Sequence, residues 1–219
     1  MDVTSAIMQR RSIRAYLPKP VSKETLEEIL DKARWSPSGT YTQSWFIEAV
    51  SGDAKVKLSE AMAEAGRIDP EGRPFIPFPD YDAKCMQRRR NIGYSLYSAK
   101  GIARDDRRKR AMWYQHNLRF FGAPVALVVH TCQAYSPFAL PDMGIIAMSI
   151  MLLAKERGLG TCVEYMPTRY PDVLKDFLHI PEDHIVVLAI AMGYPDLDDR
   201  VNNFPREREP LSKFVRFVE

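Results

Sequence analysis

Two near-continuous apolar runs, Val125–Thr131 and Ile185–Met192, constrain this chain more than any other feature. A strand with one wet face alternates polar and apolar residues. A run without that alternation reads as a strand covered on both faces. The chain therefore needs a sheet lying between two layers of other elements. Between the runs lies Met143–Ala154, apolar around its whole circumference. Such a helix is either the buried central helix or part of a subunit interface. It is too short to cross a bilayer, which takes about 20 residues. Lys155, Glu156 and Arg157 mark its wet end, Gly158 is the expected left-handed residue after it, and Asp142 is the expected N-cap.

The remaining elements follow from caps, breakers and helical spacing. Val3–Gln9 reads as a short helix. Ser22 is a good N-cap for a helix carrying Leu26, Ile29, Leu30 and Ala33 on one face, with Val21 and Leu26 placed to form a hydrophobic staple. Ser36-Pro37-Ser38-Gly39 stops it, because Pro37 denies Ser36 helical geometry. Trp45–Val50 reads as a strand and Asp53–Ala65 as a helix. Residues 66–81 are irregular and carry Pro70, Pro74, Pro77 and Pro79, so a covering loop is expected there. Helices are expected over Ala83–Lys100, Asp105–Phe121 and Pro171–Leu178, with a short strand or extended loop over Gly160–Met166. The tail ends in Phe214-Val215-Arg216-Phe217-Val218, strand-like and without a neighbour in sequence to pair with.

Charge and cysteine usage exclude several classes. The 31 basic and 28 acidic residues leave a formal net charge of +3, far from the basic excess of a nucleic-acid binder. The run Arg107-Arg108-Lys109-Arg110 follows directly on Asp105 and Asp106. Three cysteines, Cys85, Cys132 and Cys162, make no disulfide framework and no metal-ligand pattern with the four histidines, so no metal is expected. Asp2 stands early and no apolar segment follows it, unlike a signal peptide. A cytoplasmic protein without nucleic-acid or membrane partners is expected.

Two basic clusters carry the functional reading. Arg10-Arg11-Ser12-Ile13-Arg14 packs three guanidiniums and a hydroxyl into five residues, and Arg206-Glu207-Arg208 lies near the other end of the chain. Arginine suits a phosphate because its planar fork offers parallel donors and keeps its charge. If the clusters meet in space, they make a pocket for one phosphate. Taken singly, each is equally a solvated patch.

The chain resembles the FMN-dependent nitroreductase family along its whole length. The matching stretches, in order, are Arg10–Arg14, the run Ser36–Trp45, Phe120-Phe121-Gly122-Ala123-Pro124, Asp142-Met143-Gly144, Gly158-Leu159-Gly160-Thr161, Gly193-Tyr194-Pro195, and Asn202 with Arg206, Arg208 and Leu211. The resemblance implies a single α+β domain over residues 1–219, with a central mixed sheet flanked by helices. It also implies a domain-swapped homodimer with FMN at the subunit interface and the 205–219 tail exchanged. Arg10, Arg11, Ser12 and Arg14 would hold the phosphate, ribityl chain and pyrimidine edge, with Arg206 and Arg208 closing the phosphate pocket. Pro37, Ser38, Gly39 and Gln43 would reach the partner's flavin, and the backbone at Glu164-Tyr165 would lie against the ring. No side chain is expected to be catalytic, because the chemistry belongs to the cofactor.

The implied activity is ping-pong. NADH or NADPH gives hydride to the flavin, and a nitroaromatic, a quinone or another electron-poor small molecule then takes it. Flavin-destruction enzymes, reductive dehalogenases and non-catalytic flavin binders share the resemblance as alternatives. Three positions depart from the family's habit. Tyr41 stands where asparagine is common, Ser44 where a proline precedes the tryptophan, and Tyr165 where glycine is frequent.

Overall fold

Seven helices and four strands follow one another in the computed structural model, which describes residues 1–219. They are α1 (Val3–Gln9), α2 (Lys23–Ala33), β1 (Phe46–Ser51), α3 (Gly52–Ile68), α4 (Ala83–Ala99), α5 (Arg107–Leu118), β2 (Val125–Cys132), α6 (Ala139–Glu156), β3 (Gly160–Glu164), α7 (Pro171–Leu178) and β4 (His184–Gly193). The strands form one sheet in the order β1-β2-β4-β3.

The two apolar runs become its central strands, β2 and β4, and their alternate residues feed different cores. Val125, Leu127 and Val129 pack with α2 and α6, while Ala126 and Val128 pack with residues of α3, α5 and α7. Both faces of β2 are therefore dry, as a run without alternation requires.

The α2 cap works as expected. Ser22 Oγ accepts a hydrogen bond from the Thr25 N–H at 3.2 Å, and Val21 and Leu26 are both buried. Gly158 takes the left-handed conformation after α6, at φ +73°. Three expectations need correction. All three strand pairings are antiparallel, so the sheet of the chain is not mixed. The crossover through α6 does leave β2 and β3 parallel to each other, but β4 returns between them and pairs with both. A parallel contact survives only as the isolated bridge of Ser12 with Thr161. Asp142 is not the N-cap of α6, which starts at Ala139; its carboxylate is turned to another loop. Helix α3 continues to Ile68, past the start of the expected loop.

The C-terminal tail forms no strand within the chain. After a short turn at Leu211–Lys213 its side chains Phe214, Phe217 and Val218 stand mostly exposed. No helix is long and apolar enough to cross a membrane.

Candidate functional site

The Arg10–Arg14 stretch is held against the edge of the sheet by its own backbone. Ile13 N–H donates to the Thr161 carbonyl at 2.9 Å, beside the Ser12–Thr161 bridge. Gly160 permits this approach, since a Cβ there would lie 2.5 Å from Ile13 Cγ1. Asn202 completes the anchorage from the far end of the chain. Its Oδ1 accepts from Arg14 N–H at 2.8 Å, and its Nδ2 donates to the carbonyls of Ala15 at 2.8 Å and Asp196 at 2.7 Å. Asn202 is fully buried, at 0% exposure.

The second cluster then folds back onto the first. The Arg206 guanidinium donates to the carbonyls of Arg10 and Met8, and Arg11 donates to the carbonyl of Phe204. Arg10, Arg11, Ser12, Arg14, Arg206 and Arg208 line one cavity of about 140 Å³, walled by Phe204 and Ile92. No acidic residue lines it. Burial, and then the like charges of Arg206 and Arg208, pull the Arg10 guanidinium below its ordinary value. Arg11 is lowered by burial, then by Arg206 and Arg14. Arg10 Nε is buried with no hydrogen-bond partner. Crowded guanidiniums with an unused donor fit a dianionic phosphate of the size FMN carries, and the site is chemically matched to it.

Glu164 ends β3 beside this cluster. It is 3% exposed and neither carboxylate oxygen has a partner. Burial pushes its carboxyl well above the usual range, against the pull of Arg14 and Lys55. Lys55, in the first turn of α3, is also buried and donates to the Arg119 carbonyl at 3.2 Å. Burial lowers its ammonium to about 8, opposed by Glu164. The next residue, Tyr165, faces the other way and is 53% exposed. It lines a mostly apolar cavity of about 290 Å³ whose other walls include Ile76, Phe78, Tyr81 and Leu140. The proline-rich loop thus stands over Tyr165, and a single backbone step separates a buried carboxyl group from an apolar cleft.

Pro37, Ser38, Gly39 and Gln43 do not join the arginine cavity of their own chain. Gly39 N–H donates to both Asp142 oxygens, at 3.1 and 3.2 Å. Ser38 Oγ accepts from Gln43 N–H at 2.9 Å. Thr40, Tyr41 and Gln43 all have left-handed backbone, at φ +47°, +64° and +47°. Three non-glycine residues in that region store strain, which persists where the surroundings over-determine a functional shape. The segment is largely exposed, with Tyr41 at 82%.

Sequence reasoning missed two contributors. Lys55 carries no local signal that sets it apart from the other charged residues of its helix. Asn202 entered only as one matching position, with nothing local to announce three backbone bonds.

Comparison with known proteins fits this geometry. The Nitroreductase family model matches residues 7–194. The 4-nitrobenzoate reductase of Pseudomonas putida is 34% identical over 218 residues, covering 99% of this chain and 96% of that protein. The nitrobenzene nitroreductase of Ectopseudomonas oleovorans is 32% identical, with 99% and 96% covered. Among solved structures, the FMN and NADPH-dependent nitroreductase NfnB from sphigopyxis sp. strain HMH superposes with a TM-score of 0.96 at 31% identity, with both chains covered completely. The FMN-dependent NfnB from Mycobacterium smegmatis in complex with NADPH gives 0.93 at 30% identity, with 99% and 97% covered. With this fold, this arginine-lined cavity and these relatives, the chain belongs to the nitroreductase family.

Proposed function

We propose that this chain is an NAD(P)H-dependent FMN oxidoreductase that reduces nitroaromatics and similarly flat, electron-poor acceptors. The observation that carries the reading is the acid-free cavity in which Arg10, Arg11, Arg14, Arg206 and Arg208 converge from both ends of the chain. FMN, when bound, supplies hydride acceptance and donation at N5, so the protein has to bind and orient rather than transfer protons. Arg10, Arg11, Arg206 and Arg208 would hold the phosphate, and Ser12 and Arg14 the more distal polar groups. Pairing with Ala189 of β4 holds the end of β3, and the backbone of Glu164-Tyr165 would border the ring. The cleft beside Tyr165 is lined mostly by apolar side chains, and its loop wall suits a planar acceptor better than a charged one.

Anaerobic addition of NADPH or NADH should bleach the flavin absorbance of the purified yellow protein, and a nitrobenzoate or a quinone should restore it. Steady-state double-reciprocal plots should be parallel, as alternate entry of donor and acceptor demands. An FMN-loaded protein that neither nicotinamide bleaches would remove the enzymatic reading and leave a flavin binder.

The working form is a homodimer with exchanged tails. The exposed Phe214, Phe217 and Val218 support it, as does the strained Pro37–Gln43 segment that meets no cavity of its own chain. Unpaired strand-like apolar tails call for a partner sheet, and the simplest partner is a second copy. Truncation before Phe214 should lower both the melting temperature and FMN content, with sedimentation shifting toward monomer. A truncated chain that stays a fully loaded dimer would refute the exchange.

A further inference from the structure

We infer that the chain carries a second site, for a zinc-class divalent cation, built from Cys132, Asp183 and His184. Their spacing in sequence shows no ligand pattern, but the sheet brings them together. Cys132 and His184 are register partners at the ends of β2 and β4, so their side chains share a face. The turn before β4 is drawn alongside when Gln133 N–H donates to the Asp183 carbonyl at 2.7 Å. Cys132 Sγ then reaches Asp183 Oδ2 at 3.6 Å. One ligand atom from each of the three residues lies within 4.8 Å of the other two. Donors held about 2.0–2.3 Å from a tetrahedral zinc stand roughly 3.3–3.8 Å apart, so small side-chain rotations close the set.

The surroundings prepare the imidazole. His130 Nδ1 lies 2.8 Å from His184 Nδ1, and His130 Nε2 lies 3.5 Å from Glu48 Oε1. A carboxylate only accepts, so Glu48 takes the proton-bearing Nε2 of His130. With His130 neutral, its Nδ1 accepts from His184 Nδ1–H. That tautomer leaves the His184 Nε2 lone pair bare. A carboxylate or another acceptor behind the non-ligating nitrogen is the arrangement that metal-binding histidines use. The Phe46 ring stacks on His130, with centroids 5.5 Å apart, and tilts onto His184 at 4.8 Å, holding both rings.

Thiol, imidazole and carboxylate together favour zinc over calcium or magnesium, which prefer oxygen alone. Asp183 is exposed, so solvent can complete the coordination. The cluster is separate from the arginine cavity. Met192, which pairs with Thr161 beside Ser12, is eight positions along β4 from His184, or about 26 Å at the usual strand rise.

Metal-free, FMN-loaded protein titrated with Co²⁺ tests the site, read in the red ligand-field bands beyond flavin absorption. One Co²⁺ per chain should bind and be displaced by Zn²⁺. Cys132→Ser and Asp183→Asn should each abolish the bands or shift them to much higher Co²⁺. Glu48→Ala, which removes the acceptor for His130 Nε2–H, should weaken binding by up to about tenfold through His130 and then His184, with FMN content unchanged. Cys85→Ser should leave the titration as it was. The inference is overturned if Co²⁺ does not saturate at one per chain, or if the Cys132 and Asp183 variants titrate like the native protein.

Discussion

Arg208→Ala should weaken FMN binding by roughly ten- to a hundredfold and leave riboflavin binding almost unchanged. The magnitude follows from one charge-assisted bond of about 1.5–3 kcal/mol and from about 1.4 kcal/mol per tenfold in affinity. Arg208 is the cleanest probe because its guanidinium bonds only to the carbonyl of Glu207, so its loss dismantles nothing else. Arg10→Ala should act similarly, since the Arg10 carbonyl that receives Arg206 remains. The double variant should fall short of the sum, because both groups act on one phosphate. Arg206→Ala should behave differently. It removes the strap onto Arg10 and Met8 as well as a charge, so riboflavin should suffer too. Titration of flavin fluorescence with both ligands separates these outcomes. Equal losses for FMN and riboflavin in Arg208→Ala would mean that the arginines do not grip a phosphate.

Asn202→Ala should cost about 2–4 kcal/mol of stability, a large loss for a single side chain beside the site. Two half-buried backbone groups, Arg14 N–H and the Asp196 carbonyl, bond to that carboxamide, and it shares the Ala15 carbonyl with Asp196 N–H. Each group left unsatisfied costs about 1–3 kcal/mol, reduced where a water can enter the gap. Against a total of about 5–15 kcal/mol, this is a large share. Asn202→Asp should not rescue the protein, because it keeps the acceptor for Arg14 but loses both donors and buries a charge. Urea unfolding monitored by tryptophan fluorescence measures the loss. A change below about 1 kcal/mol would show that the Arg14–Tyr16 segment is held by its other bonds, to β4 and the turn after it, without Asn202.

The elements were legible because their signals are local. Helix α1 and helix α7 lie at the expected residues, since a cap, a proline and a short run of helical spacing act over a few positions. The Ser22 cap and the left-handed Gly158 were readable for the same reason. Lack of alternation in β2 and β4 foretold burial on both faces. The arginine clusters could be named, together with the ligand chemistry they suit, because guanidinium carries its preference wherever it sits. Asp142 misled because an acid behind a proline at a helix start reads as a cap, and only the position of the Gly39 amide across the fold gives it another partner.

By itself, the sequence determined which segments before the tail are strand or helix, which faces are apolar and which stretches gather the arginines. Those are properties of residue type and short-range spacing. The tertiary structure decided that β4 enters between β2 and β3, which makes the sheet antiparallel and sets every register that follows. It decided that Glu164 is enclosed with no hydrogen-bond partner and that Asn202 ties Arg14 to a turn 188 positions away. It also placed His184 opposite Cys132. Such juxtapositions depend on strand order and register, where a shift of one residue turns every side chain to the other face, and no local pattern in the chain encodes them.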